Sequence, residues 1–254
     1  MPVPVPVPVP VHTFGGPTAL IEYGGLRLLT DPTFDAPGEY PSPGGGLTKT
    51  RPSSAAPADV GRIDAVLLSH DEHADNLDHG GRALLADVPL TLTTPSAGQR
   101  LGGTARGLTP WESVGLDRPG GGSVTVTAVP ALHGPEGCEP VTGEVTGFVL
   151  TGESLPTVYV SGDNASLDLV RRIADRFGPV DTAVLFAGAV RVPALFDGAL
   201  LTLDSAQAAE AATILGARRI VPVHFDSWAH FSEGRDPLLA AFTAAGLADR
   251  VELA

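Results

Sequence analysis

The chain alternates short apolar runs with glycine- and proline-rich breaks. "ALIEY" (19–23) and "LRLLT" (26–30) flank Gly24-Gly25 and predict two strands joined by a tight turn. "IDAVLLS" (63–69) is a mostly apolar run of strand length, which fits a buried strand. Residues 76–86 predict a helix interrupted by glycines, 89–94 a strand, and "SAGQRL" the start of a short helix. Alternation over 123–131 marks a further strand, and "GEVTGFVLTG" and "PTVYVSGD" two more. Leu167, Val170, Ile173 and Phe177 fall on one face of a helix over 166–177. Strand and helix then alternate. "DTAVLFAGA" is a strand, "DSAQAAEAATILG" a helix capped by Asp204, "RIVPVHF" a strand and "DPLLAAFTAAG" a helix, with "RVELA" as a closing strand. Residues 33–61, rich in Pro, Gly and Ser and without a period, predict a long loop.

The opening "MPVPVPVPVPV" predicts an extended, polyproline-like tail over residues 1–11, outside the fold. No later shift in composition marks a linker, so residues 12–254 are expected to form one α/β domain. At 254 residues and 43% apolar content, the chain can bury a core without disulfides. Its single cysteine, Cys138, excludes an internal disulfide framework and fits a reducing compartment. A net charge of −13 with no basic stripe argues against a nucleic-acid partner. No stretch approaches the roughly 20 apolar residues of a membrane span. The N-terminus lacks the charged and apolar regions of a secretory signal. The expectation is a cytoplasmic protein with a small-molecule substrate; its oligomeric state is not encoded in any of these features.

Chemistry concentrates at strand ends. His70 follows "AVLLS", His133 follows "TAVPAL", Asp163 follows "TVYVSG", and His224 ends "RIVPV". Strand C-termini in layered α/β folds gather at one edge, where sites are built. Imidazole and carboxylate together suit zinc, manganese or iron. Burying His70, His73, Asp75, His133, Asp163 and His224 without a partner would be costly, and a cation removes that cost.

The order of these clusters resembles the metallo-β-lactamase superfamily. It is similar in particular to the branch of L-ascorbate-6-phosphate lactonase and N-acyl-phosphatidylethanolamine phospholipase D. The family signature is His-x-His-x-Asp-His after a strand, then a distant His, an Asp and a final His. Its counterparts here are "SHDEHADNLD", "ALHGPEG", "SGDN" and "VPVHF", with "TDPTF" closing the first strand pair. The resemblance covers about residues 12–235. It implies an αββα sandwich, two sheets packed face to face with helices on the outer faces. It also implies one or two divalent ions, Zn2+ foremost and Mn2+ as an alternative.

The signature is not intact. Anchored on the strand, His70 matches the first histidine. Anchored on the following helix, His73 and Asp75 match the second His and the Asp, and Asn76 stands where the last His belongs. An ungapped alignment makes Asp71 the first ligand instead. By the resemblance, His70, His73 and His133 form one site. Asp75, Asn76, Asp163 and His224 form the other, with Asp163 bridging. An amide is a weaker zinc ligand than imidazole.

Asp31 is a candidate to orient a ligand histidine. His12, Trp228 and His230 are candidates for a substrate pocket, while His79, Glu136 and Glu139 read as non-ligands. The resulting expectation is a metal-dependent hydrolase acting on a lactone, phosphodiester or related ester or amide bond. Asp75 is then the proton acceptor. The alternative is a non-catalytic metal- or small-molecule-binding protein with a degenerate site, a reading motivated by Asn76. Neither Pro-Cys-x-x-Cys nor His-Glu-x-x-His is present, which argues against a zinc deaminase and a zincin protease.

Overall fold

The computed structural model describes residues 8–42 and 45–253. Two six-stranded sheets dominate. The first has the order β1 (Val11–Thr13), β2 (Ala19–Tyr23), β3 (Leu26–Thr30), β6 (Ala65–Leu67), β7 (Thr91–Thr93), β8 (Ala105–Gly107). The second runs β14 (Arg219–Val223), β13 (Thr182–Phe186), β12 (Val158–Val160), β11 (Thr146–Gly152), β10 (Ser123–Pro130), β9 (Ser113–Asp117). A separate hairpin pairs β4 (Gly38–Ser42) with β5 (Gly45–Lys49).

Period-2 alternation sorts the apolar side chains into three layers. Ile21, Leu28, Ala65, Leu67 and Leu92 of the first sheet meet Val126, Phe148, Leu150, Val160 and Phe186 of the second, forming the sandwich core. Their strand neighbours Leu20, Leu29, Val66 and Leu68 face outward, against Val60 of α1 (Pro57–Val60) and Leu77 and Leu85 beside α2 (His79–Leu84). Across the molecule, Val149, Tyr159, Ala183 and Leu185 face α5 (Leu167–Phe177), α6 (Ser205–Ile214) and α7 (Arg235–Ala244). The expected αββα arrangement follows. Two short helices, α3 (Pro95–Leu101) and α4 (Glu139–Thr142), complete the chain. Asp204 caps α6, its carboxylate accepting from the Gln207 N–H at 2.8 Å.

The structure departs from the sequence reading in several places. The supposed loop 33–61 contains β4, β5 and α1. The edge strands β8 and β9 were not foreseen; both are short and half exposed. The helix expected over 76–86 begins only at His79, because residues 73–77 are bent into a turn in which the Asn76 and Leu77 N–H groups donate to the His73 carbonyl. The closing strand shrinks to one bridge between Val251 and Ile220. The proline-valine tail is not wholly outside the fold. Val9 is buried in the sandwich core, Pro10 accepts from the Glu22 N–H at 3.0 Å, and β1 begins at Val11. Residues 1–7 of that tail lie outside the described residues.

Two contacts fix the edge at which strands β6, β10, β12 and β14 end. The Thr146 N–H donates to the Ser69 carbonyl at 3.1 Å, stitching one sheet to the other. Gly162 passes through this junction with φ +58°; a Cβ there would lie 2.6 Å from the Thr146 carbonyl oxygen and 2.9 Å from Ser69 Cβ. Only glycine fits both the conformation and the space. The hairpin is fixed by Lys49, the only lysine of the chain. Its ammonium donates to Asp78 Oδ2 and the Thr33 carbonyl, each at 3.1 Å, and lies 5.5 Å from the centre of the Trp228 ring. Asp78 in turn caps α2 through the Gly81 N–H at 2.8 Å.

Both contacts are testable. Gly162→Ala is expected to cost more than about 1 kcal/mol in denaturant unfolding, since its φ is incompatible with a side chain. Lys49→Met strands the buried Asp78 carboxylate, and a loss of roughly 3–5 kcal/mol is expected. Arg171→Ala, which breaks exposed pairs with Asp168 and Glu210, is expected to shift stability by less than about 1 kcal/mol in the same titration.

Candidate metal centre

The turn after β6 supplies His70, His73, Asp75 and Asn76; the turns after β10 and β12 supply His133 and Asp163; His224 directly follows β14. His224 adopts φ +57°, a costly conformation for a non-glycine residue, and its N–H donates to the Gly16 carbonyl at 2.7 Å.

Three histidines form one cluster. His70 Nε2 lies 2.8 Å from His73 Nδ1, and the His133 ring centre is 5.4 and 5.2 Å from theirs. Second partners fix the free nitrogens. His133 Nδ1 donates to the Leu201 carbonyl at 2.7 Å, which leaves Nε2 as the lone pair facing the cluster. His70 Nδ1 lies 3.0 Å from Ser69 Oγ. Burial, then the neighbouring imidazoles, push His70 well below the usual histidine range. Burial and His133 bring His73 down to about 4. Both rings are therefore neutral near pH 7, the form that binds a cation.

Asp75, Asp163 and His224 form a second cluster, with ligand-type atoms within 4.8 Å of one another. His224 Nε2 lies 3.2 Å from Asp75 Oδ2 and 3.6 Å from Asp163 Oδ1. Asp163 Oδ2 lies 3.5 Å from His133 Nε2. One carboxylate thus spans both clusters. His230 Nε2 reaches Asp75 Oδ2 at 2.9 Å. Burial pushes the Asp75 carboxyl up, but the His230 and His224 imidazoles outweigh it and hold Asp75 well below the usual carboxylate range. Burial lowers His224, yet Asp163 and Asp75 raise it further than burial depresses it. Asp31 is pushed well above the carboxylate range, chiefly by burial.

Whether a cation suits this centre is tested by what its side chains leave unpaired. Asp75 Oδ1, Asn76 Oδ1 and the Nδ1 atoms of His224 and His230 are buried without a hydrogen-bond partner. Four imidazoles and two carboxylates converge there, a donor set suited to zinc and other first-row divalent ions. The residues fit such an ion.

Some expected residues stand elsewhere. Asp71 turns away, accepting from Arg100 Nε at 3.0 Å with Arg82 at 3.6 Å, so His70 and not Asp71 stands beside His73. Asn76 presents its amide nitrogen to Asp163 Oδ1 at 3.3 Å, while its own Oδ1 is left without a partner. Asp31 does not touch a histidine ring. Its Oδ1 accepts from the Ser69 N–H at 2.7 Å and fixes the backbone beside His70. His12 is exposed on β1, lining a separate cavity with Val221 and Glu252. Trp228 is buried beneath Lys49 and 6.3 Å from the His230 ring. His79 is exposed and pairs with Asp35 at 3.1 Å.

The sequence reading missed the supporting roles of Lys49, Asp78 and Arg100; a solitary lysine in an arginine-using chain was the one visible signal. A cavity of about 200 Å³ opens onto His73 between Tyr40, Glu72, His79 and Arg82. A larger one, about 1000 Å³, runs past Leu132 and Gly134, but no ligand-type residue of the two clusters lines it.

Comparison with known proteins agrees with this geometry. A family model described as "Beta-lactamase superfamily domain" matches residues 26–225. A "UPF0173 metal-dependent hydrolase" of Methanosphaerula palustris is 30% identical over 68% of this chain and 73% of that protein. Among solved structures, an isothiocyanate hydrolase from Delia radicum gut bacteria superposes with TM-score 0.78 at 19% identity, covering 96% of this chain and 95% of the other. A possible metal-dependent hydrolase from Veillonella parvula gives 0.81 at 17% identity, with 97% of each chain covered. These two likenesses concern the fold. With its family match spanning most of the sequence and its histidines and aspartates drawn to one edge, this chain belongs to the β-lactamase superfamily and is a metal-dependent hydrolase of that superfamily.

Proposed function

We propose that the protein hydrolyses a small lactone or phosphodiester at a pair of divalent cations, zinc foremost and manganese as the alternative. The observation that carries this reading is the Asp163 carboxylate, whose two oxygens face His133 of one cluster and His224 of the other. His70, His73, His133 and Asp163 would hold the first ion, and Asp75, Asp163 and His224 the second. Cations there supply Lewis acidity and lower the pKa of a water. The chain's own residues do the rest. Asp75 Oδ2 is bracketed by His224 and His230, whereas Oδ1 has no partner. Oδ1 therefore accepts a hydrogen bond from the attacking water and takes its proton toward the leaving group. Arg82 and Tyr40 border the cavity beside His73 and set the size of what enters. The resemblance to ascorbate-6-phosphate lactonase and the phospholipase D branch favours lactones and phosphodiesters over amides.

The test is turnover of a panel of simple lactones and bis(p-nitrophenyl) phosphate, with metal content measured in parallel. Chelation is expected to abolish activity, and zinc or manganese to restore it. Asp75→Ala should lose roughly 10²–10⁴-fold in turnover while remaining folded. Asp71→Ala should keep its metal. Activity indifferent to chelation would overturn the reading. Bound metal without turnover of any ester, lactone or amide would instead favour the binding-protein alternative that Asn76 motivates.

A further inference from the structure

We propose that His230 is a ligand of the second cation, supplying the imidazole that Asn76 does not supply in the signature. This inference rests on the two-cation reading above. In that reading the second site is short of an imidazole, because Asn76 is buried and directs its NH2 group at Asp163 Oδ1 and Ser69 Oγ.

His230 supplies what is missing. Its Nε2 stands 2.9 Å from Asp75 Oδ2, and His224 Nε2 stands 3.2 Å from the same oxygen. Donor atoms bound to one ion at about 2.0–2.2 Å lie roughly 3.0–3.5 Å apart, from octahedral to tetrahedral geometry. Each imidazole nitrogen thus already holds, from the shared oxygen Asp75 Oδ2, the spacing of neighbouring donors in one shell. Asp163 adds a fourth donor, with Oδ1 3.6 Å from His224 Nε2. His230 reaches this group through Asp75.

The placement of His230 is built rather than incidental. On one side the Ala229 N–H donates to the Thr48 carbonyl at 2.9 Å, and Trp228 bridges Lys49 of the hairpin. On the other side, the Ser232 N–H donates to the Gly188 carbonyl at 3.0 Å and its hydroxyl to the Ala189 carbonyl. Between these anchors the imidazole packs against Phe231, with ring centres 4.6 Å apart. The bland alternative is a protonated His230 that only hydrogen-bonds to Asp75. The two differ in one atom: a ligating Nε2 carries no proton, and a donating one does.

The experiment uses the full chain labelled with 15N-histidine, stripped of metal and titrated with zinc by calorimetry and by imidazole 15N NMR. His230 is assigned by the cross-peaks lost in His230→Gln. We expect two equivalents to bind, and the His230 Nε2 resonance to move on the second equivalent to join those of His70 and His133. His230→Gln should weaken the second equivalent at least tenfold and leave the first unchanged. Introducing Asn76→His into that variant should restore the second equivalent. A His230 Nε2 that keeps its attached proton with two zinc ions bound would sink this inference and leave the two-cation reading standing. Binding of fewer than two ions by the unaltered chain would overturn both.

Discussion

Removing Asp31, Asp75 and Asp163 from water at one edge of a sandwich is the constraint from which the rest of this molecule follows. All three are almost wholly buried. An isolated carboxylate in such a place is unstable and must be neutralised, paired or bound to a cation. Each of these answers is used. Asp31 is pushed toward its neutral form, Asp75 is bracketed by two imidazoles, and Asp163 lies between two histidine clusters. Those histidines arrive on strands from both sheets. The sheets must therefore meet closely, and the Ser69–Thr146 hydrogen bond and the side-chain-free Gly162 provide that contact.

Much of this was legible in the chain, because the signals were local. The strands on either side of Gly24-Gly25 fall at the expected residues, since a turn of two glycines between apolar runs leaves one arrangement. The strand-end positions of His70, His133, Asp163 and His224 follow from apolar runs that stop at a polar residue. What stayed hidden depends on distant partners. The β4–β5 hairpin looks like loop because its own residues are poor strand formers; Lys49, Asp78 and Trp228 hold it from outside. Val9 sits in a repeat that reads as solvated tail, and only the sandwich core gives it a reason to be buried. His230 was read as a pocket residue, for nothing in "DSWAHFSEG" shows that it meets Asp75, 155 positions earlier.

The extra residue in "SHDEHADN" shows how a signature can stretch without losing its geometry. His70 and His73 still meet at 2.8 Å, one through Nε2 and the other through Nδ1. The surplus is accommodated by Asp71, which is buried, and the partly exposed Glu72, whose carboxylates are both held by Arg100. The added length thus carries an ion-pair network around Arg100, while the spacing of His70 and His73 stays compact.

The burial of Lys49 reaches beyond stability. It is the only lysine of the protein, and it is 2% exposed, its ammonium lying over the Trp228 ring. Amine-directed reagents therefore find no lysine at the surface of the native molecule. Acylation at this one position requires the hairpin to lift from Asp78, so its rate reads how often the roof beside the cavity opens. The fold thus carries a built-in chemical reporter of the hairpin whose Tyr40 and Pro41 line the cavity beside His73.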